Sequence, residues 1–222
     1  MDTGGPSPTY FQPVPKESSS KSFDYNSAGR QSLLLLFVEH GFRMAQPKTR
    51  AELGGKFFEE WGNAVSGLHG WSDGDGWFTQ YVGHPVQGAW VGYIQVQNDP
   101  SGRMHNYNES SSYWKSRLKA TAFAFGYEVQ WHLGPVSEAT IGHVGKKPGT
   151  LGYSEFVTSP LGGLALIVAE DALDEKIIEK LERQTDGLNK RRLYRTFLNP
   201  SRAVANLMRW RKPWHRDRRK IN

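Results

Sequence analysis

Residues 76–98, GWFTQYVGHPVQGAWVGYIQVQN, run for 23 residues without an Asp, Glu, Lys or Arg. A membrane span needs about 20 predominantly apolar residues. Gln80, His84, Gln87, Gln95 and Gln97 make this run a poor one. His84, Gly88 and Gly92 recur at a spacing of four, which places them on one helix face. Small residues on such a face let another helix come close. Pro85, after Gly83-His84, predicts a kink or restart of the helix there. A second small-residue opening, Gly162-Gly163, follows Pro160, which reads as the first position of a helix running into a charged end near residue 182. Two glycine-faced helices built to touch give the fold class: all-α, a compact bundle of about five to seven short helices.

The neighbouring stretches extend this reading. Residues 33–38, LLLLFV, continuing through Glu39-His40 to Pro47, predict a short, mostly buried helix. Thr49 followed by Glu52 has the form of a capping box. It predicts a helix carrying Phe57, Phe58 and Trp61 that fades at Gly67. Residues 67–77, GLHGWSDGDGW, are a glycine-punctuated loop. Asp73 and Asp75 there have calcium-loop spacing without the third ligand or the distant Glu of an EF-hand; an Asx turn explains them as well. Residues 109–135 predict a helix stopped by Gly134-Pro135, with Ala120, Ala124 and Glu128 on one face and His132 one turn on. Residues 136–152 read as a loop. Ser154 is placed as the cap of a short segment before Pro160, and Asn199-Pro200 opens a last short helix through Met208.

The 222 residues are 37% hydrophobic, enough for a packed core. The absence of cysteine excludes a disulfide scaffold, a zinc finger and a thiol nucleophile. A mean hydropathy of −0.61 excludes a typical multi-span transporter. No positively charged start leads into an apolar segment, so no secretory signal is read; the expectation is a cytosolic protein or a mature or trimmed chain. The net charge of +6 is unevenly spread. From residue 187 onward there are 12 Lys/Arg against one acid, Asp217. Three regions follow: a Pro/Ser-rich disordered or extended arm (1–27), a helical core (28–186) and a basic, aromatic-rich segment (187–222). In the last, Arg209, Trp210, Arg211, Lys212, Trp214 and Arg216 are candidates for binding anionic lipid or an acidic protein partner. Nucleic acid is disfavoured, because no nucleic-acid-binding module is recognisable.

Four ionisable groups lie inside apolar or small-residue segments: His84, Glu128, Glu155 and Glu170. They are candidates for acid–base work, which needs a group whose pKa burial has moved. The favoured reading of the same residues is that each is a satisfied core group or a helix cap. The seven histidines show no HxH, HExxH or HxxxH pair, and Glu128–His132 has no second copy, so no metal centre and no cofactor is expected; a buried His/Glu metal site stays open only as a weak alternative to acid–base work at the same residues. There is no GxSxG elbow, Walker loop or GxGxxG, which argues against those hydrolase and nucleotide-enzyme classes.

YVGHPVQGA (residues 81–89) resembles the GHPxxGA element of an uncharacterised family of bacterial envelope proteins. YSEFVTSPLGG (153–163) is similar to that family's second element, T-x-P-x-G-G, with its later Glu at Glu170. The likeness covers residues 76–174. It implies an envelope location and a shared helical core, and it carries no reaction. Three functions stand open: a helical envelope protein peripheral to or partly embedded in a membrane, an enzyme acting on a lipid or envelope substrate, and an accessory subunit of a larger assembly.

Overall fold

A computed structural model describes residues 22–108 and 110–221. Among them the fold is all-α, with no strand. Four long helices make the frame: α1 (Tyr25–Met44), α4 (His84–Asn98), α5 (Ser111–Leu133) and α7 (Glu155–Leu173). Between α1 and α4 lie α2 (Pro47–Ala51) and α3 (Phe57–Ser66); α6 (Glu138–Ile141) precedes α7. The chain closes with α8 (Glu179–Arg183), α9 (Leu188–Phe197) and α10 (Pro200–Met208).

Paired residues fix the directions. The Asp24 N–H bonds the Asn98 carbonyl, whereas Glu39 reaches Tyr127. So α1 and α5 run one way and α4 and α7 the other. The core between them is small and tight: Ala89, Val91, Ile94, Ala120, Ala124 and Ile167 are almost fully buried. All four glycines expected to serve helix packing sit at the α4–α7 contact. A methyl on Gly88 would collide with the Ser159 carbonyl, and one on Gly163 with the Gly88 backbone. Gly92 leaves room for Ile167, and Gly162 for Pro85. Because the obstacles at Gly88 are backbone atoms, Gly88→Val is expected to cost about 3 kcal/mol, the upper end of overpacking. Chemical denaturation at a constant slope measures it.

Several sequence expectations change. Helix α1 starts at Tyr25, eight residues before LLLLFV, with Asp24 accepting from the Ser27 N–H as its cap. It is not mostly buried: Leu33 and Phe37 face outward while Gln31 and His40 face in. Thr49 caps nothing. It lies inside α2, and α3 opens at Phe57 before ending at Gly67 as expected. Pro160 lies within α7, which already begins at Glu155. A proline is tolerated there because helix α7 loses one internal bond yet keeps its packing on α4. Pro85 does restart the chain: a π-turn at Thr79–Gly83 hands over to α4 with Pro85 in its first turn. Of the expected N-terminal arm, residues 1–21 lie outside the described residues.

Residues 187–221 are folded onto the core. Arg216 and Arg219 reach Asp174, and Arg195 pairs with Glu182. Asp174 opens a second π-turn, Asp174–Ile178, in the run from Glu155 to Arg183. That 29-residue run is long and apolar enough to cross a membrane by length and composition. A core helix of a soluble protein meets the same measure, and 39% of its most apolar window is buried here.

Candidate functional site

Three helix ends meet at one pole of the bundle. His84 begins α4, Glu155 begins α7, and Glu128 and His132 occupy the last turns of α5. Parallel α4 and α7 bring two N-terminal side chains together, and antiparallel α5 brings its C-terminal ones to the same level. Glu155 joins them: its Oε1 lies 2.8 Å from His84 Nε2 and its Oε2 lies 2.8 Å from His132 Nε2. Glu128 Oε2 lies 3.2 Å from His132 Nε2. The Ser159 hydroxyl donates to the other Glu128 oxygen. His132 and Glu128 are fully buried.

The surrounding loops complete the shell. His132 Nδ1 lies 2.9 Å from Glu138 Oε2, and Glu138 pairs with Arg43 of α1. A capping box between Ser137 and Thr140 opens α6 and fixes Glu138 at its first position. On the far side, Asp75 Oδ2 lies 3.6 Å from His84 Nε2. The Asp73 carboxylate accepts the Asp75 N–H at 2.9 Å, which is the Asx turn the sequence suggested. Tyr153 and Ser154 N–H groups bond the carbonyls of Gly70 and Trp71, tying this loop to the start of α7.

His84, Glu155, Asp73, Asp75, Glu138 and Arg43 line a cleft of about 590 Å³, together with Glu39, Thr79, Gln87 and Trp131, while His132 and Glu128 lie buried behind its wall. Its edge is aromatic and exposed. Phe42 lines it, and the loop holding Asp75 runs directly into Trp77 and Phe78, 70% and 69% exposed.

Carboxylates outnumber permanent cations in this cleft. Burial alone would lower the His84 pKa, but Asp75 and Glu155 outweigh it and raise it to about 10. For His132 burial again works downward, and Glu155 with Glu128 raises it to about 9. Burial would raise Glu155; His132 and His84 hold it far below the usual carboxylate range. Burial, reinforced by Glu155, pushes Asp73 up to about 7. Burial also lifts Glu39 to about 7, against the Tyr127 hydroxyl that donates to it. The cleft thus draws protons onto both imidazoles and onto two acids to balance its negative charge.

The same arrangement suits a cation. One ligand atom each from His84, His132 and Glu155 fall within 4.8 Å of one another, and so do atoms of Asp73, Asp75, His84 and Glu155. Local spacing hid this set, because its two histidines sit on different helices and converge only when α4 and α5 pack.

Of the four sequence candidates, His84, Glu128 and Glu155 converge. Glu170 does not: it accepts the Ser201 and Arg202 N–H groups at 3.0 and 3.3 Å, capping α10. His132, Glu138, Asp73, Asp75, Arg43 and Ser159 join the site as well. His132 was legible one turn beyond Glu128, and Asp73 and Asp75 in their loop. Glu138 was marked only by the Ser137–Thr140 capping pattern in a stretch read as loop. Compared with protein-family models, with curated proteins and with solved structures, the chain matches none.

Proposed function

We propose that this chain is a membrane-associated helical enzyme whose His84, His132 and Glu155 bind a divalent metal ion and act on an amphipathic substrate. The observation that carries the reading is one carboxylate holding an imidazole on each of its oxygens, 2.8 Å away, with His84 and Glu155 lining an open cleft and His132 buried behind them. Once an ion displaces their protons, two imidazoles and a carboxylate are a common ligand set for zinc-type ions, leaving a position for water or substrate. Glu138 on His132 Nδ1 supplies the outer carboxylate that such histidines usually carry. Asp75 and Glu128 lie beside the two imidazoles as proton acceptors.

The exposed aromatic edge supports a substrate with an apolar part. The envelope location rests on the resemblance of residues 81–89 and 153–163 and on the apolar side chains that α1 turns outward. Cobalt(II) is the probe, because its visible spectrum reports tetrahedral binding directly. Purified protein is expected to bind one equivalent with that spectrum, and zinc is expected to displace it. No cobalt band at one equivalent overturns the metal reading. A second reading, a metal-free acid–base pair, is favoured by the acids on both nitrogens of His132 and on Nε2 of His84, and it predicts that outcome. The membrane reading is separately tested by fractionation: protein that stays soluble at low salt without detergent ends it.

A further inference from the structure

On a flank of the bundle, the middle of α1 and the end of α10 enclose a groove of about 510 Å³. Leu34, Val38, Leu207, Met208 and Pro213 give it an apolar floor, and Trp210, Arg211 and Lys212 form its rim. Its volume falls in the range of small-molecule sites.

The rim differs from the rest of the basic segment. Arg209 holds Asp217 and Asn206, and Arg216 is buried against Asp174. Trp214 is covered by Arg192, 5.1 Å from its ring centre. These three of the expected binding residues serve the fold. Arg211 and Lys212 are exposed, and neither forms an ion pair among the described residues. Lys212 only approaches the Trp214 ring, at 5.9 Å.

Trp210 is the second anomaly. Helix α10 ends in a Schellman pattern: the Trp210 N–H bonds the Leu207 carbonyl and the Arg211 N–H bonds the Asn206 carbonyl, both at 2.9 Å. The residue at this position takes a left-handed backbone, and glycine normally fills it. Here it is tryptophan at φ +57°, and its ring is 86% exposed, the most exposed large apolar side chain among the described residues. Neither backbone nor packing accounts for an indole there. An aromatic ring displayed beside two free cations over an apolar groove matches the layered chemistry of a lipid: acyl chain, interface, phosphate.

We infer that this groove seats an anionic phospholipid, with an acyl chain along Leu34, Val38, Leu207 and Met208, the headgroup phosphate at Arg211 and Lys212, and Trp210 at the interface. The inference deepens the membrane reading by naming the surface and the lipid class. Fractionation asks whether the protein is found with membranes; the experiment below asks whether this groove holds it there.

The test is flotation of the full chain with vesicles of phosphatidylcholine alone and of phosphatidylcholine with phosphatidylglycerol. Wild type is expected to float with the mixed vesicles and to lose binding as salt rises. Each cation removed near an anionic surface is expected to weaken binding about fivefold, so Arg211→Gln with Lys212→Gln loses roughly thirtyfold. Trp210→Gly is expected to lose about tenfold or more. Its melting temperature should hold or rise, because glycine suits the left-handed position. That pairing of lost binding with retained stability separates a lipid contact from a structural role. Equal binding to neutral vesicles, unchanged binding in both variants, or displacement by inorganic phosphate or polyglutamate each overturns the inference.

Discussion

Asp171→Asn is expected to lower the free energy of unfolding by about 4 kcal/mol, far above an ordinary surface substitution. Asp171 sits on α7 at the pole opposite the His/Glu cleft, nearly fully buried. Its Oδ2 accepts from Arg117 Nε at 2.7 Å and from the Tyr113 hydroxyl at 3.0 Å. Its Oδ1 accepts from the Tyr93 hydroxyl at 3.1 Å and pairs with Arg202. Four donors from three helices therefore converge on one carboxylate. Arg117 is among the largest fully buried side chains, so removing its counter-ion strands a guanidinium away from water. The amide of asparagine adds a second fault by turning N–H donors toward donors. Replacing Arg117 as well, Asp171→Leu with Arg117→Met, is expected to recover the part of the loss that the stranded guanidinium causes, while Tyr93, Tyr113 and Arg202 stay without this acceptor. The double-mutant cycle in urea gives the coupling directly. A single-variant loss below 1 kcal/mol would show that this carboxylate does not hold the pole together.

That pole also marks where sequence reading stops. The fold class was legible because glycine spacing and helix stops are local. Gly88, Gly92, Gly162 and Gly163 announce a close contact, and Gly134-Pro135 and Asn199-Pro200 mark helix limits within a residue or two. Helix α1 was misjudged because a run of leucines reads as burial, whereas α1 turns Leu33 and Phe37 out and Gln31 and His40 in. The helix opening at Glu155 was cut at Pro160 because a proline normally starts a helix. Only the packing of Gly163 on Gly88 makes its interior position intelligible. The internal partners of the basic tail were not legible. Twelve cations in one segment suggest an external partner, but Asp174, Glu179 and Glu182 stand ready on the preceding helices to receive Arg195, Arg216 and Arg219. Charge pairing through space leaves no trace in local composition. The same holds for the site: His84, Glu128 and Glu155 stood out one by one as ionisable groups in apolar surroundings. Their meeting, and the exclusion of Glu170, depend on which end of each helix faces which.

Glu155→Gln is expected to abolish the cobalt(II) spectrum, with affinity falling more than a hundredfold. Its amide keeps the size and one acceptor of the carboxylate but removes the charge that both imidazoles share, at 2.8 Å on either side. Glu138→Gln makes the graded comparison. Of the three metal-binding residues Glu138 touches His132 alone, at Nδ1 on the side of the ring away from Glu155, while its other oxygen pairs with Arg43, so it orients a ligand without being one. Losing such an outer carboxylate typically weakens metal binding ten- to a hundredfold. The tetrahedral band should therefore persist in Glu138→Gln at raised cobalt concentration and be absent from Glu155→Gln at any. Glu170→Gln is the control that the cleft chemistry should ignore, since Glu170 caps α10. It is expected to lower stability by about 1 kcal/mol, the worth of a helix cap, and to leave the cobalt spectrum unchanged. A ranking in which Glu155 and Glu138 variants bind alike would place the ion elsewhere, and a Glu170 effect on the spectrum would mean that the two poles are coupled through α7.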